Sequence, residues 1–516
     1  MMHEKVDGIL SIGSLLSGTD LQRHVLDELA TIFRTRFGLD YTMQIRFACE
    51  EVVAKQEYIK ANFGPNVIIY PDVHQIAKNP KAVQDIDGHI KPIPRVVVLI
   101  FSIECDSISA LSAGWQHRLR CEDGDPEQLS RTNGSLLSCM KVLNHCKPVI
   151  WVAECVKNLF AKDAETQLSM FDALQTIAID AGYLIAHSTL DSSNYGVPQV
   201  RPRAWIVGVF VGVEIAQKQR DEDEHFASVD LYHSLLMQMR IAPLDLYHYM
   251  VAADDPIATR AAQIGLEASE STKTTKKKAK GTAKSKGKAK SNKADAQPPK
   301  EEKVAQYEVD HLEAFTTIGL AYPPVFSESF NEKTRALAHS TRMRELVFLE
   351  TARWGHAEKM DTVWVRDLNM SESWGSTVER KSPCIVSTSM MWVRGMLAPG
   401  RFVDRLLLGE ECLALQGVSF EWQRNAKGFS FALNMDLAGN AFTAEVLGAV
   451  LLAALMALPV NHAFELENEI LIEDKNRDDD AGDHGADVGE GAEEGGESET
   501  PLEVDDVINF GDFDKD

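Results

Sequence analysis

Apolar residues in the N-terminal part of the chain come in unbroken runs, not in alternation. Gly8–Leu16 (GILSIGSLL), Met43–Cys49, Asn66–Tyr70, Val96–Phe101, Lys147–Val152, Tyr183–Ser188 and Ala204–Phe210 are each bounded by turn residues or charges. Runs of this kind predict strands buried on both faces, as in a parallel sheet. Between them, helices are predicted from near Leu21, over Gly134–His145 and over Ala164–Ala181. Strand and helix in turn imply an α/β fold with a doubly wound, mostly parallel sheet. The longest apolar run, Val446–Leu458, stops at Pro459 and is too short to cross a bilayer, so a buried helix is expected.

The rhythm fades between Val213 and about Pro383. Helical periodicity returns around Arg342–Arg353, but Ser271–Lys303 has no large aliphatic or aromatic side chain and is expected to be disordered. The net charge of −24 is unevenly spread. Ten lysines fall within Lys273–Lys293, whereas Glu473–Asp516 carries 18 acids against three bases and is expected to be a disordered acidic tail. The remaining body is acidic, which counts against a DNA substrate unless a local cleft is positive. The lysine segment reads as a nuclear address, a phosphate-binding arm or a solvated spacer. The eight cysteines form no C-x-x-C pair and no zinc-type Cys/His set, so no metal is expected. The N-terminus MMHEKVDGIL lacks a secretory pattern, so free thiols in a reducing compartment, nuclear or cytoplasmic, are expected, with no secretion and no membrane partner.

Candidate chemistry gathers at the carboxyl ends of the strands, where open α/β sheets bind ligands. Cys105 follows the Val96–Phe101 run and is either a nucleophile or a buried structural cysteine. Ser17-Gly18-Thr19-Asp20 is a tight turn into a helix, suited to a nucleotide-like ligand or to an ordinary connection. Glu50 stands where an acid accepts from ribose hydroxyls, or where it stabilises a helix N-terminus. Asp72 ends the third run, and Glu154 the fifth, where such acids also cap helices. Gly114–Asn133 is long and polar enough for a lid over the thiol. Arg201 and Arg203, flanking Pro202, suit an anion or a base carbonyl, or simply the surface.

The run YGVPQVRPRAWIVGV carries Gln199-x-Arg201-x-Arg203 and resembles the Gln-x-Arg-x-Arg motif of the cytosine-C5 DNA methyltransferases. In family order, Gly18 to Asp20 resembles the methionine-side loop for S-adenosylmethionine, Glu50 the ribose acid and Asp72 the adenine-side acid. Cys105 with Ser109 is similar to the Pro-Cys-Gln-x-x-Ser nucleophile loop, and Ala153–Val156 to the Glu-Asn-Val motif. Arg405–Gly417, which includes Gln416, resembles the Arg…Glu…Leu-Gln-Gly segment, and Gly439-Asn440 the last motif. The chain departs from the pattern at Glu104 for proline, Asp106 for glutamine and Cys155 for asparagine. A carboxylate beside a thiolate disfavours the charged sulfur.

The resemblance implies methyl transfer from S-adenosylmethionine to C5 of a flipped-out cytosine in duplex DNA. Cys105, Glu154, Arg201 and Arg203 would be catalytic, and Leu16, Ser17, Gly18, Thr19, Glu50, Asp72 and Asn440 would hold the cofactor. Ser109, Gln199, Gln416 and Gly417 complete the motifs. By position it implies a catalytic core over 6–213, a smaller, irregular target-recognition region over 214–400 with the insert 271–303, motifs returning to the core over 401–465, and the tail 466–516. Transfer to RNA such as tRNA, and a DNA- or chromatin-binding homologue that has lost turnover, are the alternatives.

Overall fold

The computed structural model describes residues 9–16, 18–38, 42–64, 67–105, 108–109, 131–163, 167–221, 226–261, 305–330, 340–353, 362–372, 378–398 and 400–458. The predicted lid up to residue 130, the lysine-rich insert and the acidic tail, together with Ser17, lie outside them, and the last three lid residues begin a helix instead.

Seven strands form the main sheet: β1 (Ile9–Leu15), β2 (Thr42–Cys49), β3 (Ile68–Tyr70), β4 (Val98–Ser102), β5 (Ile150–Val156), β6 (Tyr183–Asp191) and β7 (Pro202–Phe210). Their order is β3-β2-β1-β4-β5-β7-β6. The β3-β2-β1-β4-β5 pairings are parallel, and β7 runs antiparallel to both its neighbours. Chain length explains the exception, because the stretch from β6 to β7 is too short for a crossover helix. The chain steps outward from β1 to β3 and then returns to the other side of β1, so the order reverses between β1 and β4. A ligand crevice is expected at such a reversal.

Helices cover both faces. On one, α1 (Gln22–Ile32) and α7 (Ala227–Gln238) pack against α13 (Ala444–Ala457). On the other lie α3 (Val73–Lys78), α4 (Arg131–Cys146), α5 (Met170–Asp180) and α6 (Val213–Asp221). The stretch Phe431–Ala457 is apolar enough to span a membrane by length and composition alone. Here it breaks at Ala441–Thr443 and buries Val446, Leu447, Val450 and Leu451 in the core.

Several boundaries differ from the sequence reading. Lys147 has φ 42° beside Pro148, which delays β5 to Ile150, and pairing with β7 then carries it through Glu154 to Val156. Glu154 and Arg203 therefore lie within strands, not beyond their ends. β4 stops at Ser102, three residues short of the thiol. α5 starts only at Met170, where Ser169 and Asp172 form a reciprocal capping box.

Beyond Val213 the chain is more regular than its pattern suggested. A four-stranded antiparallel sheet is built from β8 (Val363–Asp367), β9 (Val378–Glu379), β10 (Met391–Ala398) and β11 (Arg401–Leu406), in the order β9-β8-β10-β11. With α8 (Gln306–Thr317) and α9 (Thr341–Arg353) it encloses a second core around Phe315, Leu346, Leu349, Trp364 and Trp392. All five β8 residues are buried, the charged Arg366 and Asp367 among them, which erases the alternation expected of such a strand. Arg366 stays buried because it pairs with Glu372 at 3.3 Å and faces Glu350 at 3.8 Å.

Candidate active site

Antiparallel pairing of β5 with β7 sets Glu154 opposite Trp205 and Val156 opposite Arg203. Opposed residues share a face, as do residues two apart, so Glu154 and Arg203 are diagonal neighbours on one face. Arg203 Nε accordingly meets Glu154 Oε1 at 3.1 Å, with both side chains nearly buried. On the other flank Ser102 of β4 stands beside Glu154, and Cys105 follows three residues later, half-buried. The Ile108 and Ser109 amides donate to the Cys105 carbonyl at 3.1 and 2.7 Å, which winds the chain into a turn after the thiol. Cys105 lies within electrostatic reach of Arg201, Arg203 and Cys155. Thiol, carboxylate and guanidinium thus converge.

Of the departures beside the thiol, Asp106 lies outside the described residues. Burial and the charge of Glu104 both push up the thiol of Cys139 on α4, which places Glu104 toward that helix. Cys155 is buried, and its sulfur donates to the Ile103 carbonyl at 3.6 Å. Burial, then the charges of Glu154 and Cys105, holds its thiol well above the ordinary value.

Arg201 makes contacts of a different kind from Arg203. Its guanidinium donates to the carbonyls of Ile385, Gly439 and Ala441 at 2.9, 3.1 and 2.8 Å. It therefore clamps β7 to two later segments, while Arg203 is the arginine that meets the acid. Gln199 belongs to the same frame: it is fully buried, and its Oε1 accepts from Gln416 Nε2 at 3.2 Å. Gln416 Oε1 in turn accepts from the Thr443 hydroxyl at 3.3 Å. Gly417 has φ 101°, and a Cβ there would lie 2.2 Å from the Ala444 Cβ, so only glycine permits this approach to α13. Arg405 and Glu411 form a two-pronged pair at 2.7 and 2.7 Å, and Glu411 also accepts from Val251 N at 2.9 Å.

One residue at this site escaped the sequence reading. Cys384 accepts from Arg203 Nη2 at 3.4 Å and from Arg201 Nη1 at 3.9 Å. Burial opposes its charged form, but the two guanidinium groups outweigh that and hold the thiol below its ordinary value. The same neighbours, Cys384 and Glu154, hold Arg203 above its usual range against its own burial. No spacing signal links position 384 to 203; backbone bonds from Val200 to Ser382 and from Ser382 to Pro198, at 2.9 and 2.7 Å, bring the segments together.

A second constellation lies at the ends of β1 and β2. Leu16 donates its amide to the Cys49 carbonyl at 2.9 Å, and Leu16, Gly18 and Asp20 all have positive φ, so the chain turns sharply here. Asp20 accepts from the Ser14 hydroxyl at 2.8 Å and from the Gln22 amide. A Cβ on Gly18 would lie 3.8 Å from the Cβ of Asn440, so the first loop and the end of α12 (Phe431–Asn440) are neighbours. Glu50 is buried and accepts from Val52 N at 2.9 Å. Burial pushes its carboxyl up, opposed by Lys55 and by the Val52 and Gly18 amides. Thr19 is buried with an unpaired hydroxyl oxygen. Asn440 donates to Asp436, which also pairs with Lys55 at 3.1 Å. Leu16, Gly18, Thr19, Glu50 and Asn440 are thus brought together, whereas Asp72 caps α3 by accepting from His74 N at 2.8 Å. A buried carboxylate beside sharply turned backbone fits a nucleoside-containing cofactor.

The family model for C-5 cytosine-specific DNA methylase matches residues 24–454. DNA (cytosine-5-)-methyltransferase DMT5 of Cryptococcus neoformans var. grubii is 24% identical over 452 residues, 86% of this chain and 17% of that protein. Type II methyltransferase M2.ScrFI of Lactococcus lactis subsp. cremoris is 29% identical over 138 residues, 26% of this chain and 34% of that protein. Type II methyltransferase M.NgoFVII of Neisseria gonorrhoeae is 27% identical over 192 residues, 35% of this chain and 43% of that protein. The chain spans less than half the length of each of these relatives. The solved S. pombe Dnmt2 methyltransferase aligns with a TM-score of 0.43 at 12% identity, over 87% of this chain and 98% of that one. The family match covers both sheets apart from β1, and every motif described above apart from the Leu16–Asp20 turn that follows β1, and by it the chain belongs to the C-5 cytosine-specific DNA methylase family.

Proposed function

We propose that this chain transfers a methyl group from S-adenosylmethionine to C5 of cytosine in DNA, with Cys105 as the attacking thiol. The observation that carries the reading is the buried Glu154–Arg203 pair on one sheet face, with Cys105 arriving beside it from β4. Cytosine C5 is a weak nucleophile until C6 accepts a bond. The Cys105 thiolate adds to C6, and Glu154, carrying a proton in this step, gives it to N3 to take up the electron pair while Arg203 holds the O2 side. After C5 has been methylated, its proton passes to a solvent water, the C5–C6 double bond re-forms, the Cys105–C6 bond breaks to release the thiolate, and N3 returns its proton to Glu154. Arg201, Gln199, Gln416 and Gly417 frame the pocket, and Ser109 belongs to the thiol turn.

Leu16, Ser17, Gly18, Thr19, Glu50 and Asn440 would hold S-adenosylmethionine, with Asp72 at the adenine side; when bound, that cofactor supplies an electrophilic methyl group. A base within a duplex cannot reach these groups, so the reading requires the cytosine to be flipped out. The smaller sheet and its helices are proposed to recognise the target, and the lysine-rich segment to direct the chain to the nucleus. Glu104 and Cys155 favour a second reading, a DNA-binding homologue without turnover.

The deciding experiment is trapping on a duplex containing 5-fluorocytosine, with and without S-adenosylmethionine, beside tritium transfer to duplex DNA and to tRNA. A covalent adduct that disappears in Cys105→Ala is the expected result. Tight cofactor binding with no adduct would favour the homologue without turnover, and transfer to tRNA alone would redirect the reading to RNA.

A further inference from the structure

We propose that Asn158 is a positioning residue for Cys105, holding the turn that follows the thiol against the end of β5. The inference rests on the reading above, in which Cys105 attacks the base. At position 155 this chain has a thiol where the family motif has an amide. The structure supplies an amide from further along. Asn158, on the short helical turn Lys157–Phe160 directly after β5, donates its side-chain N–H to the Ile108 carbonyl at 3.0 Å.

The contact completes a bracket around the thiol. Before Cys105, the Ile103 amide donates to the Glu154 carbonyl at 2.9 Å, and the Ile103 carbonyl accepts from the Cys155 sulfur at 3.6 Å. After Cys105, the Ile108 and Ser109 amides close onto the Cys105 carbonyl, and Asn158 ties the Ile108 carbonyl back to the strand that carries Glu154. Entry and exit of the turn are thus referred to the same strand as the acid. A thiol is a weak donor, so the neutral amide is the stronger of the two side-chain ties. Attack on a ring carbon tolerates little misplacement, and an error of about 1 Å can cost on the order of a hundredfold in rate.

Asn158→Asp keeps the shape but turns the donor into an acceptor facing a carbonyl; Asn158→Ala removes the contact outright. Two readouts on the full chain test the idea. The first is hydrogen exchange at the Ile108 and Ser109 amides, which needs no substrate. The second is the rate of adduct formation on a 5-fluorocytosine duplex, set beside KM for DNA and the affinity for S-adenosylmethionine. Both variants are expected to exchange faster at these amides and to form adduct roughly ten- to a hundredfold more slowly, with KM and cofactor affinity within about twofold and folding shown by an unchanged circular dichroism spectrum. Unchanged exchange in both variants overturns the inference whatever the activity. So does an unchanged adduct rate when the wild-type chain is active. Failure of the wild-type chain to form any adduct would instead sink the functional reading, and exchange alone would then decide the Asn158 contact.

Discussion

Gly417 shows how one residue fixes the relation between distant parts of the chain. Its φ of 101° and the 2.2 Å separation from the Ala444 Cβ leave no space for even a methyl group. Gly417→Ala should therefore push the start of α13 away, at a cost of about 1–3 kcal/mol, read as a fall of several degrees in thermal unfolding. Because Gln416 bonds both Gln199 and Thr443, S-adenosylmethionine binding measured by calorimetry should weaken alongside. At this scale the sequence was informative where a residue stands in a motif, as with Cys105, Glu154 and Arg203. It was silent where partners are far apart in the chain. Cys384 touches Arg203 across 181 positions, and only the folded chain reveals that contact.

Single elements carry their own consequences. α13 begins with Ala444 and Glu445, and Glu445 Oε2 is buried without a hydrogen-bond partner. Burial first, then the charge of Glu28, pushes its carboxyl up to about 7. The acid holds its proton more tightly folded than unfolded, so its contribution to stability is complete below the ordinary carboxyl range and is lost as pH rises through about 7. Glu445→Gln should accordingly raise the unfolding temperature at pH 8 and change it little at pH 4, the difference amounting to at most on the order of 3 kcal/mol. A gain of equal size at both pH values would refute the assignment. The strands were legible because both faces are buried and their apolar runs are continuous. Their ends were not, since pairing with β7, not local composition, decides how far β5 extends.

At the scale of the whole molecule the described residues form two apolar cores, one around the seven-stranded sheet that reaches Val365 and Val393 of the smaller sheet, and one between the four-stranded sheet and its two helices. Leu349 is fully buried in the second. Leu349→Ala should cost about 2–5 kcal/mol there, and under the proposed division of labour it should weaken binding to duplex DNA more than binding of S-adenosylmethionine, as separate titrations would show. Equal losses in both would mean that the two cores act as one cooperative unit. The second sheet was obscured in the sequence because buried ion pairs such as Arg366 with Glu372 put charges where a strand pattern calls for apolar residues.

The Arg201 clamp has a consequence for how such a pocket comes into being. Its carbonyl partners lie at Ile385, Gly439 and Ala441, 184 to 240 positions downstream. During synthesis on the ribosome the seven strands of the main sheet emerge long before those carbonyls do. Arg201, directly before β7, must wait for most of the chain, and a product released early would hold a sheet without a finished pocket.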